Sequence, residues 1–275
     1  MPNQNQPPDI EAIADELVAL LGTGRQIAPF SRDARALDLA AASRVTAAVR
    51  RKREARGEVP IGRKIGFTNR TIWAEYGVFA PIWGDIYAGT VHELAAKGAG
   101  FPLAGLAEPR IEPEIVFGLA SAPSPDMDEA ALLACVDWVA HGFEIVQSLF
   151  PDWAFAAPDT VAAFGLHGAL LIGGRRKLAP DRAEWLATLS TFEIDLLRDG
   201  AVIDHGRAAN VLDGPLSALR HLVGLLAKDP DNPPLAAGEI VTTGTLTRAF
   251  PVKPGEHFET RLAGVALEPI SLSFA

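Results

Sequence analysis

"EPRIEPEIVFGL", residues 108–119, joins a charged segment to an apolar run and predicts a β-strand. Side chains two positions apart in a strand point to the same face, so Arg110, Glu112 and Glu114 share one face. Two carboxylates in a half-buried position repel each other and resist the loss of their water. Pro113 cannot donate a hydrogen bond to a neighbouring strand, so this strand is expected at a sheet edge or with a bulge. The two glutamates therefore need a neutralising partner.

The sequence leaves two alternatives for the group that neutralises this pair of glutamates. Arg110 lies on the same face and could pair with one of them. Mg²⁺ or Mn²⁺ could bind both, because these cations prefer carboxylate oxygens and keep positions open for substrate oxygens. Glu144, within the apolar segment "HGFEIVQSLFPDW" (141–153), is a third carboxylate that needs a partner. Three acids from separate segments favour a metal site made of Glu112, Glu114 and Glu144.

Composition indicates a protein with a large core and no affinity for nucleic acid or membranes. The 275 residues are 48% hydrophobic, enough for one large domain or for one domain with a smaller appendage. The formal net charge of −9 argues against nucleic acid, which binds to basic surfaces. The N-terminus lacks a signal-peptide pattern, and no stretch is long and apolar enough to span a membrane. The single cysteine, Cys135, fits a reducing, cytoplasmic environment.

Hydrophobic periodicity divides the chain into a helical beginning and a mainly β remainder. Residues 1–8 are a predicted disordered tail, residues 9–60 a helical region, and residues 61–275 a domain of short apolar strands. Helices are expected at 9–21 and 33–56. The lack of a regular alternation between strands and helices predicts an α+β fold with a mixed, mostly antiparallel sheet.

Local signals place further elements within the mainly β part. "LRDGAVI" at 197–203 predicts a hairpin with Asp199-Gly200 at its turn. A helix is expected at 127–137 with Asp126 as its N-cap, and another at 215–227.

Several polar side chains lie in otherwise apolar segments. Lys64 in "GRKIGFTN" is expected to have a lowered pKa and to act as an acid or base or to bind an anion, unless its end reaches solvent. Asp85 in "PIWGDIY" lies between aromatic residues, with a turn aspartate as the alternative. Asp159 in "APDTVAAFG" also needs a partner. "VTTGTL" at 241–246 could bind a carboxylate through N–H groups and hydroxyls, or it is a simple turn.

Other common catalytic and binding motifs are missing from the sequence. The six histidines show no zinc-binding spacing. No phosphate-binding glycine loop and no G-x-S-x-G elbow are present. These absences argue against structural zinc, nucleotide binding and a serine hydrolase of the elbow type.

An ordered set of segments resembles a known family. "GRKIGFT", "WGDIYAG", "EPEIVFGL", "FEIVQS...DW" and "GEIVTTGTL...VKPGEHFETRLAGV" follow one another at the family's spacing. The chain resembles the 2-keto-4-pentenoate hydratase family within the fumarylacetoacetate hydrolase superfamily, over roughly residues 30–275. Each motif is modest alone, whereas the ordered set is specific.

The resemblance implies a Mg²⁺- or Mn²⁺-dependent hydro-lyase that acts on small 2-oxo or enol carboxylates in aromatic catabolism. The family's metal carboxylates match Glu112, Glu114 and Glu144. Its active-site lysine matches Lys64, and its hydratase aspartate matches Asp85. Together these residues imply water addition at C4 of a 2-hydroxy-2,4-dienoate, which gives a 4-hydroxy-2-oxo acid.

The resemblance also implies the fold, the assembly and the contacts to the substrate. Thr243 and Gly244 in the "TTGTL" turn are candidate substrate-binding residues, and Asp159 is a further candidate. The implied fold is the mixed β-roll of the superfamily, with the helical region in front of it, assembled as a homo-oligomer.

The sequence departs from the family pattern after Glu144. Gln147 stands where the family usually has an acid, and Leu149 where it has an arginine. If that arginine binds a distal carboxylate, dicarboxylate substrates are not expected here. The turn within 210–219 also departs from the family's usual form.

Three alternatives to a hydratase remain open on the sequence. A 2-oxo-3-enedioate decarboxylase, similar to 4-oxalocrotonate decarboxylase, would use the same site and release CO₂. An acylpyruvate-type C–C hydrolase would need a histidine–glutamate pair, for which His92 and His141 are the nearest histidines. A non-catalytic oligomeric binding protein on the same fold would explain the acids by salt bridges such as Arg110 with Glu112.

Overall fold

The computed structural model describes residues 7–32, 37–94 and 100–275. Most of the predicted disordered tail, residues 1–6, lies outside the described residues. None of the helices in the described ranges is both long and apolar enough to cross a membrane.

Two helices open the described chain, and aspartates cap both of them. Helix α1 (Ile10–Leu20) begins after Asp9, whose carboxylate accepts a hydrogen bond from the backbone N–H of Ala12. Helix α2 (Leu39–Ala55) begins in the same way after Asp38. The helix predicted from residue 33 thus starts at Leu39, because the Asp38 cap fixes its first turn.

Short strands and helices make up the rest of the chain. The later helices are α3 (Trp73–Tyr76), α4 (Glu129–Ala134), α5 (Ala157–Ala162), α6 (Arg182–Thr188) and α7 (Pro215–Leu226). The strands are β1 (Pro60–Gly66), β2 (Ile82–Tyr87), β3 (Val91–Glu93), β4 (Arg110–Leu119), β5 (Val136–Val146), β6 (His167–Ile172), β7 (Arg176–Lys177), β8 (Glu193–Arg198), β9 (Ala201–Arg207), β10 (Ile240–Thr242), β11 (Phe250–Pro251), β12 (His257–Ala263) and β13 (Ser271–Ser273).

Two sheets organise these strands. Within the described residues, nine strands form a sheet in the order β2-β1-β10-β4-β5-β6-β3, in which β11 also pairs with β4 and β7 with β5. Most neighbours pair antiparallel, whereas β1 with β10 and β3 with β6 pair parallel. A second sheet has the order β13-β12-β8-β9. The predicted α+β class with a mixed, mostly antiparallel sheet is confirmed.

The local predictions after residue 61 meet different outcomes. The hairpin is confirmed, because β8 and β9 pair across Asp199-Gly200, both of which have positive φ. Helix α7 lies where a helix was expected. The helix predicted at 127–137 is wrong in its bounds: α4 is shorter and is capped by Asp128 rather than Asp126. Its C-terminal part belongs to β5 instead, because Val136 begins the pairing with β4.

Strand β4 separates a hydrophobic core from the functional side of the sheet. Ile115 and Phe117 on one face are buried in a cluster with Leu219 of α7. The opposite face carries Glu112 and Glu114. A second hydrophobic cluster joins α1 and α2 to the end of β5 and to the segment that follows it. The boundary at residue 60 between the helical region and the sheet domain stays a prediction.

The burial of α7 generates a stability prediction. Leu219 is fully buried, so Leu219→Ala leaves a cavity and is expected to lower the free energy of unfolding by about 2–5 kcal/mol. Chemical denaturation measures this loss. Leu39→Ala is the matched control, because the Leu39 side chain is 56% exposed and its removal should change stability by less than about 0.5 kcal/mol. Equal losses in the two variants would contradict the packing described here.

Candidate metal centre and substrate pocket

Strand pairing brings three carboxylates together on one face of the sheet. In the antiparallel pairing of β4 with β5, Glu112 lies opposite Glu144 and Glu114 lies opposite Gly142. Cross-strand partners share a face, so the three acids become neighbours. One oxygen from each carboxylate lies within 4.8 Å of those of the other two. The predicted grouping of Glu112, Glu114 and Glu144 is therefore present as geometry.

The two inner carboxylates are fully buried, and their contacts leave oxygens available. Glu114 accepts a hydrogen bond at Oε2 from the backbone N–H of Gly244, at 2.8 Å. Its Oε1 has no hydrogen-bond partner among the described residues. His167 Nδ1 donates to Oε1 of Glu144 at 2.7 Å, and Lys64 Nζ lies 3.1 Å from Oε2. That Oε2 forms an ion pair with the ammonium but lacks a well-formed hydrogen bond.

Burial and mutual repulsion perturb the three acids in different directions. Burial raises the pKa of Glu112 to about 7, although Lys64 partly offsets this. Burial, together with the charges of Glu144 and Glu112, raises the pKa of Glu114 well above its usual range. For Glu144, burial acts in the same sense, but Lys64 and His167 outweigh it and lower the pKa to about 2. Without a cation, burial therefore favours the protonated forms of Glu112 and Glu114 and the ionised form of Glu144 prevails.

The donor set fits a hard divalent cation. Three carboxylates converge, two of them fully buried, and one oxygen of Glu114 has no hydrogen-bond partner among the described residues. Carboxylate oxygens are the ligands that Mg²⁺ and Mn²⁺ prefer. Such a cation would replace the retained protons and remove the repulsion among the acids.

Lys64 lies beside the cluster and keeps its charge. Its Nζ contacts Glu144 and donates to the carbonyl oxygen of Gly165 at 3.0 Å. Burial alone would lower the pKa of Lys64, but the charges of Glu144, Glu112 and Glu114 outweigh burial and raise it. The predicted lowering of this pKa is therefore wrong, because the three acids lie within reach of the ammonium.

Asp85 lies on the opposite face of the sheet from Lys64. In the pairing of β1 with β2, Asp85 faces Arg63, whereas Lys64 faces Gly84. The Asp85 carboxylate lies 2.7 Å from Arg50 Nη1 and 3.0 Å from Arg63 Nη1. Burial raises the pKa of Asp85, and the two arginines partly offset this. The lysine and the aspartate that the resemblance assigns to the active site therefore lie on opposite faces of the sheet.

Asp159 is satisfied by the backbone and by a serine rather than facing the pocket. Its side chain accepts hydrogen bonds from the N–H and hydroxyl of Ser31 and from the N–H of Ala156, at the start of α5. This buried carboxylate thus ties the residues before α2 to α5. The geometry gives it a structural role instead of the predicted contact with substrate.

The "TTGTL" turn supports the carboxylate cluster from behind. Gly244 donates its N–H to Glu114, and its φ of 92° suits glycine. A Cβ at this position would lie 1.8 Å from Thr68 Oγ1. Thr243 is buried, and its hydroxyl donates to the carbonyl oxygen of Ile115. The residue of this turn that lines the adjacent pocket is Thr245.

A pocket opens next to Glu112, with about 430 Å³ of empty space that includes open solvent. Its lining is mostly apolar, with Lys64 and Glu112 as the charged side chains among the described lining residues. The full lining consists of Lys64, Gly66, Phe67, Ile72, Tyr76, Glu112, Val146, Trp153, Gly165, Leu166, Thr245 and Ala249. Phe67, Trp153 and Leu166 have positive φ, a strained conformation that concentrates at functional sites.

Three side chains at the cluster and the pocket are not singled out by the sequence, although Trp153 lies in the family motif "FEIVQS...DW". His167 meets Glu144 because β6 pairs with β5, and no sequence spacing announces that pairing. Tyr76 and Trp153 come from separate segments and meet at the pocket wall. The sequence predicts Arg110 as a partner for one of the two glutamates. Its guanidinium instead donates to Tyr76 Oη at 2.5 Å and lies 4.2 Å from the centre of the Trp153 ring.

Comparisons with known proteins place these features in context. No family model matches the chain. The 2-hydroxyhexa-2,4-dienoate hydratase of Comamonas testosteroni is 30% identical over 93% of this chain and 94% of that protein. The 2-keto-4-pentenoate hydratase 2 of Dechloromonas aromatica is 30% identical over the same shares of the two chains.

Solved structures give a matching result for the fold. The 4-oxalocrotonate decarboxylase from Pseudomonas putida G7, complexed with magnesium and adipate, superposes with a TM-score of 0.84 at 27% identity, over 97% of each chain. The fumarylpyruvate hydrolase from Pseudomonas aeruginosa, in complex with Mn²⁺ and pyruvate, reaches a TM-score of 0.56 at 14% identity, over 79% of this chain and 90% of that one. The second likeness shows the fold alone.

The electrostatics of the cluster predict how metal affinity depends on pH. Metal binding must displace the protons on Glu112 and Glu114, so Mn²⁺ affinity should rise by up to about tenfold per pH unit for each proton displaced. The part of this increase in affinity that comes from the Glu112 proton should level off near pH 7, where the pKa of Glu112 lies. Because the pKa of Glu112 is raised from 4.5, the folded state holds this proton more tightly than the unfolded state. The metal-free protein should therefore lose stability as the pH rises from about 4.5 to 7. Titration calorimetry with Mn²⁺ and thermal melting across this range measure the two effects.

The matched variants for this titration are Glu114→Gln and Glu268→Gln. The first removes a cluster carboxylate and should weaken Mn²⁺ binding by more than about tenfold. The second makes the same chemical change at an exposed loop position and should leave binding unchanged. Equal Mn²⁺ affinity in both variants would contradict a metal site at the cluster.

The location of Asp85 predicts a loss of stability when its charge is removed. Asp85→Asn leaves the fully buried Arg63 short of one counter-charge, so the free energy of unfolding should fall by about 3–5 kcal/mol. Asp137→Asn is the control, because Asp137 and Lys177 form an exposed pair worth about 1 kcal/mol or less. Urea denaturation compares the two variants. A loss of Mn²⁺ binding in Asp85→Asn without a loss of stability would place Asp85 at the cluster after all.

Proposed function

The chain belongs to the 2-keto-4-pentenoate hydratase family, and from that premise we propose that it is a divalent-metal-dependent hydro-lyase of aromatic catabolism. Its substrate is a 2-hydroxy-2,4-dienoate, and its product a 4-hydroxy-2-oxo acid. The observation that carries the proposal is the buried carboxylate cluster at the end of a mostly apolar pocket, with a lysine ammonium beside it.

Glu112, Glu114 and Glu144 would hold the metal. When bound, Mg²⁺ or Mn²⁺ acts as a Lewis acid and polarises the oxygen at C2 of the substrate. Gly244 and His167 keep the inner carboxylates in place through the hydrogen bonds to Glu114 and Glu144. Such supporting contacts fix the orientation of ligands and tune their basicity.

Lys64 supplies a fixed positive charge and a proton donor at Nζ. Its contacts to Glu144 and to the Gly165 carbonyl orient the ammonium at the pocket wall. A cation held in this way stabilises the negative charge that develops on the substrate when the dienol loses its proton. The carbon chain is then protonated at C5, and water adds its hydroxyl at C4 and its proton at C3.

The apolar lining holds the diene and limits the access of water. Ile72, Val146 and Leu166 offer no polar side-chain atoms to the pocket. A planar, conjugated acid would place its polar end against Lys64 and Glu112 and its hydrocarbon part against these side chains. This arrangement positions the substrate and keeps the reacting charge in an environment of low dielectric constant.

A decarboxylase is the second candidate, favoured by the likeness to 4-oxalocrotonate decarboxylase at a TM-score of 0.84. Loss of CO₂ from a 2-oxo-3-enedioate gives the same kind of dienolate, so the same cluster and lysine would serve both reactions. The two reactions differ in the substrate's tail, which carries a second carboxylate in the decarboxylase reaction.

A C–C hydrolase is not favoured by the geometry. His141 is fully committed, because its Nδ1–H donates to the carbonyl oxygen of Glu114 and its Nε2 contacts Thr260. Burial lowers its pKa to about 4. The histidine that contacts a glutamate of the cluster is His167, which supports Glu144 and is not part of the pocket lining.

The partners and location follow as further parts of the proposal. We propose a small 2-oxo or enol carboxylate as the ligand, no nucleic-acid partner, assembly as a homo-oligomer, and a cytoplasmic location. The net charge of −9 supports the exclusion of nucleic acid. Light scattering on the purified protein measures the state of assembly.

The activity prediction separates the two reactions. With saturating Mn²⁺, the protein should convert 2-hydroxypenta-2,4-dienoate to 4-hydroxy-2-oxopentanoate, followed by loss of the dienol absorbance and by product analysis. Glu114→Gln should lower kcat/KM by more than about a hundredfold, because metal polarisation of the substrate is lost, whereas Glu268→Gln should retain full activity. Release of CO₂ from a 2-oxo-3-enedioate without any hydration would favour the decarboxylase. Full activity of Glu114→Gln would remove the metal assignment.

A further inference from the structure

We propose that Arg110 determines substrate specificity by holding Tyr76 and Trp153 in place as an aromatic wall. This wall accepts an uncharged, planar substrate tail and excludes a terminal carboxylate. The inference rests on the proposed function, because it takes the oxo-acid end of the substrate to lie at the carboxylate cluster.

Strand β4 sets the direction of the pocket. Glu114, Glu112 and Arg110 alternate along one face, so each step between them is about 7 Å. Glu114 is fully buried at the inner end, whereas Arg110 is the first residue of the strand and only half-buried. Glu112 lines the pocket, as do Tyr76 and Trp153, which both contact Arg110, whereas Glu114 does not. The pocket therefore extends from Glu112 towards the Arg110 end of the strand. A substrate held at the cluster therefore directs its tail to the aromatic wall.

Arg110 connects the two parts of that wall. Its Nη1 donates to Tyr76 Oη at 2.5 Å, and its guanidinium lies 4.2 Å from the centre of the Trp153 ring. Tyr76 comes from α3, and Trp153 ends the short helical turn Pro151–Trp153. One side chain thus fixes the spacing between two segments that are far apart in sequence. The two rings meet edge to face, with their centres 6.3 Å apart.

The backbone of the wall depends on such contacts. Asp152 and Trp153 have φ values of 59° and 55°, a left-handed conformation that residues other than glycine rarely adopt. The indole N–H of Trp153 donates to the carbonyl oxygen of Glu108, which fixes one edge of the ring. The guanidinium of Arg110 covers one face of the same ring through a cation–π contact.

Among the described lining residues, no charged side chain lies at the outer end of the pocket, and the Arg110 guanidinium behind the rings already contacts Tyr76 and Trp153. Lys64 and Glu112, the charged side chains among the described lining residues, lie at the cluster end. Leu149 is buried in the hydrophobic cluster, and the Gln147 amide is bonded to the backbone of Ala107 and His167. The aromatic faces repel a negative group, and burying a carboxylate against them without a partner is costly.

The experiment measures binding of two saturated 2-oxo acids that differ only at the tail. Titration calorimetry on the Mn²⁺-loaded protein compares 2-oxohexanoate, which ends in a methyl group, with 2-oxoadipate, which ends in a carboxylate. Wild-type protein should bind 2-oxohexanoate at least about tenfold more tightly. Neither acid can be hydrated, so binding is measured independently of turnover.

Two variants separate the role of positioning from direct recognition. Arg110→Met and Tyr76→Phe should each weaken 2-oxohexanoate binding by about five- to tenfold, since each breaks the same contact. The double variant should be no weaker than the weaker single variant, because the two side chains act as one unit. Neither variant should weaken 2-oxoadipate binding. Tyr76→Phe keeps the ring and removes one oxygen, so it provides the test if Arg110→Met fails to fold.

Arg175→Met is the matched control, because the Arg175 guanidinium also lies over an indole, that of Trp138, at 4.9 Å. It should leave the affinity for both acids unchanged. Selective weakening of 2-oxoadipate in Arg110→Met would make Arg110 a carboxylate receptor and overturn the proposal, as would unchanged 2-oxohexanoate binding in both variants. Tail preference without hydratase activity would refute the proposed function alone, and hydratase activity without tail preference would refute the wall alone.

Discussion

Repulsion among three carboxylates in one dry place is the constraint to which the surrounding structure responds. Glu112, Glu114 and Glu144 lie within 4.8 Å of one another through one oxygen each, and two of them are fully buried. The nearby donors reach the inner pair: Lys64 and His167 contact Glu144, and a backbone N–H contacts Glu114. Because one oxygen of Glu114 has no partner in the part of the chain that the structure describes, the contacts there leave the cluster incompletely satisfied.

The same constraint explains why the pocket has two chemically different ends. Strand β4 contributes Glu114, Glu112 and Arg110 to one face. This one strand therefore carries residues of the metal-binding end of the pocket and, further along, the arginine of its outer end. The inner end gathers oxygens, which suit a cation and an oxo acid. The outer end joins aromatic rings to a guanidinium that is already engaged, which suits a hydrocarbon tail. The same strand therefore positions both the residues that would bind the metal and the arginine that would position the wall around the substrate's tail.

Much of this architecture could be predicted from the sequence, and the rest depended on pairings that the sequence does not announce. Alternation within "EPRIEPEIVFGL" was enough to put Glu112 and Glu114 on one face, and the apolar setting of Glu144 was enough to add it. The position of His167 required knowledge that β6 lies beside β5. The pKa of Lys64 was predicted in the wrong direction because its apolar neighbours in sequence are not its neighbours in space, where the acids dominate.

Lys64 and Arg63 show how adjacency in sequence hides a division in space. Consecutive residues of β1 point to opposite faces, so the two cations serve different groups of acids. On one face, Arg63 and Arg50 meet Asp85, while Arg63 also meets Glu239 and Arg50 also meets Glu54. On the other face, the charge of Lys64 acts on three glutamates and that of Arg110 acts on Glu112. In the first group each carboxylate has an arginine partner, which fits a structural role. In the second group, ionisation of all three glutamates would leave an excess of negative charge at the wall of a pocket, and that excess is the physical argument for a divalent cation there in place of protons.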